Sequence, residues 1–231
     1  MSLRLGDVAP DFEAETTAGK IKFHDWLGDS WAILFSHPDD YTPVCTTELS
    51  AVALSYADFQ SRGVKLIGLS VNDVNSHEGW KKDIEHLVPD GPSVEFPIIA
   101  DKDRKVSELY GMLDHLDATN VDAKGLPFTV RTVFIIDPSK KIRLFLAYPA
   151  STGRSFPEIL RVIDSLQLGD KYKITTPANW NIEVNGKKEE RVIVHPSVQG
   201  ENVKKLFGDN VEIIYPYLRF TPNPEKTKAS A

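Results

Sequence analysis

Three short apolar runs constrain the fold more than anything else in the chain: Trp31-Ala32-Ile33-Leu34-Phe35, Val64-Lys65-Leu66-Ile67-Gly68-Leu69 and Val133-Phe134-Ile135-Ile136. Each is bounded by turn residues and is too short for a lone helix, so each reads as a buried strand. Helical patterns lie between them. From Thr46 to Arg62, Leu49, Val52, Ala53 and Tyr56 fall near one face, and Ser76 to Leu87 and Asp103 to Tyr110 are two further candidates. Strands alternating with helices predict an α/β layer fold. Ile142 to Ala147 reads as a strand paired to the third run through the turn Asp137-Pro138-Ser139-Lys140, and Phe156 to Leu166 is an amphipathic helix.

The character changes after Gly169. Thr175-Thr176-Pro177 reads as a linker. A short strand Val192-Ile193-Val194, a helix near Val198 to Phe207 and an extended stretch from Val211 to Phe220 make a small α+β appendage. Pro222 to Ala231 is polar and Pro-containing and reads as a loose tail. The expected division is therefore 1–169 for the main domain and 170–231 for the second, which suits a chain of 231 residues.

The formal net charge of −6, with no basic cluster beyond short lysine pairs, argues against a nucleic-acid partner. The opening residues lack an apolar signal core, and the apolar runs fall far short of the ~20 residues that cross a bilayer. The expectation is a cytoplasmic protein with no transmembrane segment. The chain has one cysteine, Cys45, so neither an internal disulfide nor a dithiol motif is available. Any redox chemistry runs through one sulfur and an outside reductant. No metal site and no cofactor are expected. His24, His37, His77, His86, His115 and His195 are scattered, none stands at ligand spacing from Cys45, and His77 and His195 read as surface or turn residues.

The first apolar run leads directly into Ser36-His37-Pro38-Asp39-Asp40-Tyr41-Thr42-Pro43-Val44-Cys45-Thr46-Thr47-Glu48. In α/β sheets, ligands bind beyond the carboxyl ends of strands. Thr42 followed by Pro43 predicts a helix start, with Thr as N-cap and Pro at the first helical position. Cys45 then lies in the first turn, where free N–H groups and the helix dipole favour a thiolate. Asp39 and Asp40 work against an anionic sulfur, so the site needs a cation. Arg131 is the candidate: strand alternation puts it on one face with Val133 and Ile135, and an arginine there needs an anionic partner. Against this stands the common fate of a lone cysteine, which is an inert core residue.

Pro38, Thr42 and Cys45 form P-x-x-x-T-x-x-C, which resembles the active-site signature of the peroxiredoxins. The longer string His37-Pro38 through Thr42-Pro43-Val44-Cys45-Thr46-Thr47-Glu48 is similar to the one-cysteine subfamily, the mammalian peroxiredoxin-six type. The likeness extends to Tyr148-Pro149-Ala150-Ser151-Thr152-Gly153-Arg154 and Lys204-Lys205-Leu206-Phe207, and covers roughly Leu3 to Pro222. It implies a thioredoxin-like core with a small C-terminal domain, in a homodimer. It implies a peroxidase that reduces hydrogen peroxide and organic hydroperoxides, phospholipid hydroperoxides among the candidates, with Cys45 as nucleophile. Thr42 would orient the peroxide, Pro38 would shield the sulfur, and Arg131 would stabilise the thiolate, with His37, Glu48 and Arg154 supporting. An external thiol, glutathione by resemblance, would recycle the sulfenic acid.

The same resemblance suggests a secondary calcium-independent phospholipase A2 activity, with Ser30 of Gly28-Asp29-Ser30-Trp31-Ala32 as nucleophile and His24 as base. The acidic partner is missing from its matching place, where Ser139 stands near Asp137. In a nucleophile elbow the serine follows its strand, whereas Ser30 precedes one.

Overall fold

In the computed structural model, which describes residues 3–87 and 93–229, the sheet is built around the first apolar run. The chain opens with the hairpin β1 (Glu13–Thr16) and β2 (Gly19–Lys22) and the short helix α1 (Phe23–Leu27). There follow β3 (Trp31–Ser36), α2 (Pro43–Leu54), α3 (Tyr56–Ser61), β4 (Val64–Ser70), α4 (Val74–Leu87), β5 (Ile98–Ala100), α5 (Lys105–Leu109), β6 (Arg131–Ile136) and β7 (Ile142–Tyr148). These strands form a 7-stranded sheet in the order β2-β1-β5-β4-β3-β6-β7. β3 pairs parallel with β4 and antiparallel with β6, and β4 pairs parallel with β5.

The all-apolar runs take the inner places because a central strand covered on both faces must be hydrophobic throughout. Ala32 to Ser36 and all of β6 are buried. Leu34, Ile67, Leu69, Phe134 and Ile136 join Phe23 and Leu27 of α1 in one core. This mixed sheet with crossover helices is the expected thioredoxin-like α/β core. The outer hairpin escaped the sequence reading because its strands are short, charged and largely exposed. The helix expected from Thr46 to Arg62 is two helices, interrupted at Ser55 with φ −95 and ψ 4.

The chain forms two compact units, Met1–Phe156 and Pro157–Ala231, so the division falls ahead of the border expected after Gly169. The long helix α6 (Phe156–Lys171) is followed by β8 (Ile174–Thr175), β9 (Glu183–Val184), β10 (Lys187–Lys188), β11 (Val192–Val194), α7 (Glu201–Phe207), β12 (Glu212–Tyr215), β13 (Leu218–Thr221) and α8 (Pro224–Ala229). A 4-stranded sheet, β12-β13-β11-β8, packs Ile174 and Val192 against Leu168 and Trp180. Three expectations change here. Thr175 is not linker but strand, paired with Ile193. The stretch Val211 to Phe220 is a hairpin turning at Pro216-Tyr217. The expected tail contains α8, started by Asn223, whose side chain accepts from Glu225 N at 3.0 Å, and tied down by Glu225 to Lys171 at 2.7 Å. Residues 230–231 of that tail, and Met1-Ser2 of the N-terminal reading, lie outside the described residues.

Candidate active site

β3 delivers its last residue, Ser36, to the carboxyl end of the sheet, and side-chain bonds fix the loop beyond it to the neighbouring strand. Ser36 Oγ donates to Val130 O at 2.6 Å and accepts from Thr132 N at 3.1 Å, while Thr129 Oγ1 donates to His37 O at 2.7 Å. Pro38 is buried in this loop. Thr42 then takes the extended N-cap conformation, φ −109 and ψ 148, with Pro43 opening α2. Its side chain does not cap the helix. The hydroxyl donates instead to Asp39 O at 2.9 Å, so the Thr42 oxygen offers the site only lone pairs.

Cys45 lies in the first turn of α2, free and fully buried. Arg131 Nη1 donates to its Sγ at 3.3 Å and to Glu48 Oε2 at 2.7 Å. The guanidinium is held in place by Nε and Nη2, which both donate to Ala150 O, at 2.9 and 2.7 Å. Arg154 closes the cluster: its backbone N and Nε donate to Glu48 Oε1 at 2.7 and 2.9 Å, and Nη2 to Oε2 at 2.7 Å. Arg154 also donates to Thr132 O at 2.9 Å and lies over the Phe35 ring. Burial alone would raise the Glu48 carboxyl, but the hydrogen bonds and charge of Arg154, with Arg131 adding, hold it below the usual carboxylate range.

The anionic partner expected for Arg131 is therefore Glu48 as well as the sulfur. Two guanidiniums meet one carboxylate, which leaves one positive charge unbalanced beside the sulfur. Glu48 stands three residues after Cys45, a helical spacing that places both on one side of α2. The resemblance named Glu48 as a supporting residue, but its bonds to both arginines come from packing that the spacing does not show.

The two aspartates ahead of Cys45 are engaged by hydrogen-bond partners that the sequence reading did not assign to them. Asn72 Nδ2 donates to Asp39 Oδ1 at 2.6 Å. Asp40 is buried between two imidazoles: His37 Nε2 to Oδ1 at 2.8 Å and His77 Nδ1 to Oδ2 at 2.8 Å, with Ser76 Oγ donating to Oδ2 at 2.7 Å. Burial would raise the Asp40 carboxyl, but the bonds from His37 and His77 hold it well below the usual range. His77 is thus no surface residue; it is fully buried on α4. The histidines are not all scattered either. His37, Asp40 and His77 have donor atoms within 4.8 Å of one another, although an ion there would have to displace the hydrogen bonds just described. The His37 ring lies 5.0 Å from Trp80, whose Nε1 donates to Thr46 Oγ1 at 3.1 Å, linking α4 to the residue after Cys45. A groove of about 610 Å³, lined by Tyr41, Thr42, Thr46, Trp80, His86 and Leu87, lies beside this turn.

No hydrogen bond joins Ser30 to His24. Ser30 precedes β3, at the opposite end of that strand from the Cys45 loop. His24 Nε2 is engaged with Ala9 O at 2.8 Å. Asp137 is occupied by Ser139 Oγ at 2.6 Å and by Lys141 N at 3.0 Å.

Residues 5–145 match the AhpC/TSA family. The chain is 52% identical over 219 residues to mitochondrial peroxiredoxin PRX1 of Saccharomyces cerevisiae, covering 95% of this chain and 80% of that protein. A cysteine-to-serine mutant of the peroxiredoxin 6 of Arenicola marina superposes with a TM-score of 0.88 at 48% identity, covering 97% of this chain and 100% of that one. The yeast mitochondrial 1-Cys peroxiredoxin, solved to explain thiol resolution via glutathione/thioredoxin systems, superposes with a TM-score of 0.81 at 50% identity, covering 95% and 99%. The chain belongs to the AhpC/TSA family and is a peroxiredoxin of the one-cysteine kind, a thiol-dependent peroxidase.

Proposed function

We propose that Cys45 is the peroxidatic nucleophile and that the chain reduces hydrogen peroxide and organic hydroperoxides, with an external thiol as reductant. The observation that carries this reading is the contact of Arg131 Nη1 with Sγ at 3.3 Å, within a buried cluster that has one positive charge to spare. The thiolate attacks one peroxide oxygen; the S–O bond forms as the O–O bond breaks, and the leaving oxygen takes a proton and departs as water or alcohol. Arg131 and the N–H groups of the first turn of α2 face the charge that develops. Thr42, with its proton engaged at Asp39 O, accepts the O–H of the attacked oxygen.

The product is Cys45 sulfenic acid, and the chain holds no second cysteine to condense with it. Attack by glutathione gives a mixed disulfide and water, and a second thiol releases Cys45. Glutathione is favoured because the similar yeast protein is resolved via glutathione/thioredoxin systems. The groove beside α2 offers room for an organic substituent, a phospholipid acyl chain included.

The homodimer belongs to the same proposal. Ile213, Tyr215 and Tyr217 leave an apolar hairpin exposed, a face a second copy would cover, and sedimentation of the chain tests it. So does a cytoplasmic location: no helix among the described residues is long and apolar enough to cross a membrane, while the yeast relative is mitochondrial, and cell fractionation decides. A phospholipase activity at Ser30 and His24 draws no support from this geometry, because the His24 ring is bonded to Ala9 O and no carboxylate orients it.

The test is a stopped-flow single turnover of pre-reduced protein with hydrogen peroxide, beside Cys45→Ser. A burst of one equivalent per chain that vanishes in the variant is expected. A wild type with no burst, or a variant that retains it, removes Cys45 from this role.

A further inference from the structure

Three donors, two of them imidazole rings, converge on one buried carboxylate in the loop that leads to Cys45. Each Asp40 oxygen accepts from a different ring, and neither oxygen can donate. His37 must therefore carry its proton on Nε2. Its other nitrogen, Nδ1, is buried and has no hydrogen-bond partner, Cys45 Sγ included. Behind Asp40, the two His77 nitrogens both face acceptors: Nδ1 faces Asp40 Oδ2, and Nε2 faces Ile99 O at 3.1 Å. His77 is thus held between Asp40 and the Ile99 carbonyl, and it fixes the carboxylate from behind. The loop therefore carries one bare imidazole nitrogen with its lone pair exposed to the protein interior. An unpartnered polar atom in such a place costs stability unless something else meets it.

We propose that Asp40, backed by His77, is a positioning residue that holds the bare Nδ1 of His37 ready for the second O–H of hydrogen peroxide, and so sets the preference between hydrogen peroxide and alkyl hydroperoxides. This rests on the peroxidase reading above. Hydrogen peroxide has two O–H groups. Thr42, an acceptor only, takes the one on the oxygen that Cys45 attacks. The other is on the leaving oxygen, farther from sulfur, and an alkyl hydroperoxide carries carbon there instead. His37 Nδ1 is the buried acceptor that this loop leaves unused. Its ring is tied through Trp80 to Thr46, next to Cys45, and its backbone through Thr129 to the approach of Arg131. Its Nδ1 makes no bond to Sγ, so its lone pair is free to accept from a bound peroxide.

The test compares second-order rate constants for hydrogen peroxide and tert-butyl hydroperoxide in wild type and Asp40→Asn. Asparagine keeps one acceptor but turns a donor toward one ring, so it cannot fix both histidines. The ratio of the two rate constants is expected to fall about tenfold against hydrogen peroxide, the equivalent of one lost hydrogen bond of about 1.4 kcal/mol. An equal loss for both peroxides, or an unchanged ratio, overturns the proposal. Ring-nitrogen NMR of the wild type gives a reading that does not depend on the variant's folding: His37 should show a protonated Nε2 and a bare Nδ1. A protonated Nδ1 overturns the proposal as well. A wild type with no burst toward either peroxide would instead sink the peroxidase reading itself.

Discussion

Glu48 shows how much one side chain decides here. It is 3% exposed and accepts from two arginines. Removing one partner from a buried ion pair leaves an uncompensated charge, which costs far more than the intact pair contributes. In Glu48→Gln the amide keeps one acceptor and turns its N–H groups toward a guanidinium. The expected loss is about 3–5 kcal/mol in urea unfolding of the reduced protein. A loss below about 1 kcal/mol would mean that Arg131 and Arg154 are satisfied by the carbonyls of Ala150 and Thr132 alone. The roles of these residues were partly legible beforehand. Arg131 on an apolar strand face announced a buried anion, and P-x-x-x-T-x-x-C announced the sulfur. Glu48 as the shared carboxylate was not legible, since spacing gives a face of a helix and not the strand that packs on it. His77 looked like a surface residue for the same reason: its neighbours Ser76 and Glu78 are polar, and only tertiary packing shows that it turns inward onto Asp40.

Among elements, those defined by apolar runs or by cap chemistry were readable, and those defined by pairing were not. β3, β4 and β6 are apolar because they are inner strands, and α2 begins at Pro43 because Thr42 and Pro43 favour that start. β5 has three residues and exists because β4 offers it an edge. The seat of the loop before α2 is likewise a property of two elements together. Tyr41 has a left-handed φ of 55 and its ring tip stands over Gly79 of α4, where an added Cβ would lie 2.4 Å from the hydroxyl oxygen. A tyrosine in that conformation is held against a cost of roughly 1–2 kcal/mol. Gly79→Ala would push the ring off α4 and loosen the first turn of α2, which must open for an outside thiol to reach a sulfur with no exposed surface. Iodoacetamide labelling of Cys45 should quicken by roughly fivefold, the equivalent of about 1 kcal/mol, with circular dichroism unchanged. An unaltered labelling rate would show that Tyr41 does not restrain this turn.

At the scale of the whole molecule, these buried groups tie stability to pH through how many protons each state binds. The Asp40 and Glu48 carboxyls lie below their usual range when folded, so their stabilisation is complete above about pH 4 and is lost as pH falls through their lowered folded values. Burial lowers His37, despite its bond to Asp40. The unfolded chain therefore takes up a proton near pH 6.5 that folded His37 refuses, and stability declines from there on acidification. Asp101, which burial pushes up, acts in the opposite sense and is outnumbered by the lowered carboxyls. The urea midpoint should thus fall in two stages, a shallow one from pH 7 to 5 and a steep one below about pH 4. His37→Gln should remove the shallow stage and leave the steep one. A midpoint level from pH 7 to 5 in the wild type would mean that folded His37 binds its proton as readily as the unfolded chain does, and the neutral ring on which the bare Nδ1 depends would be lost with it.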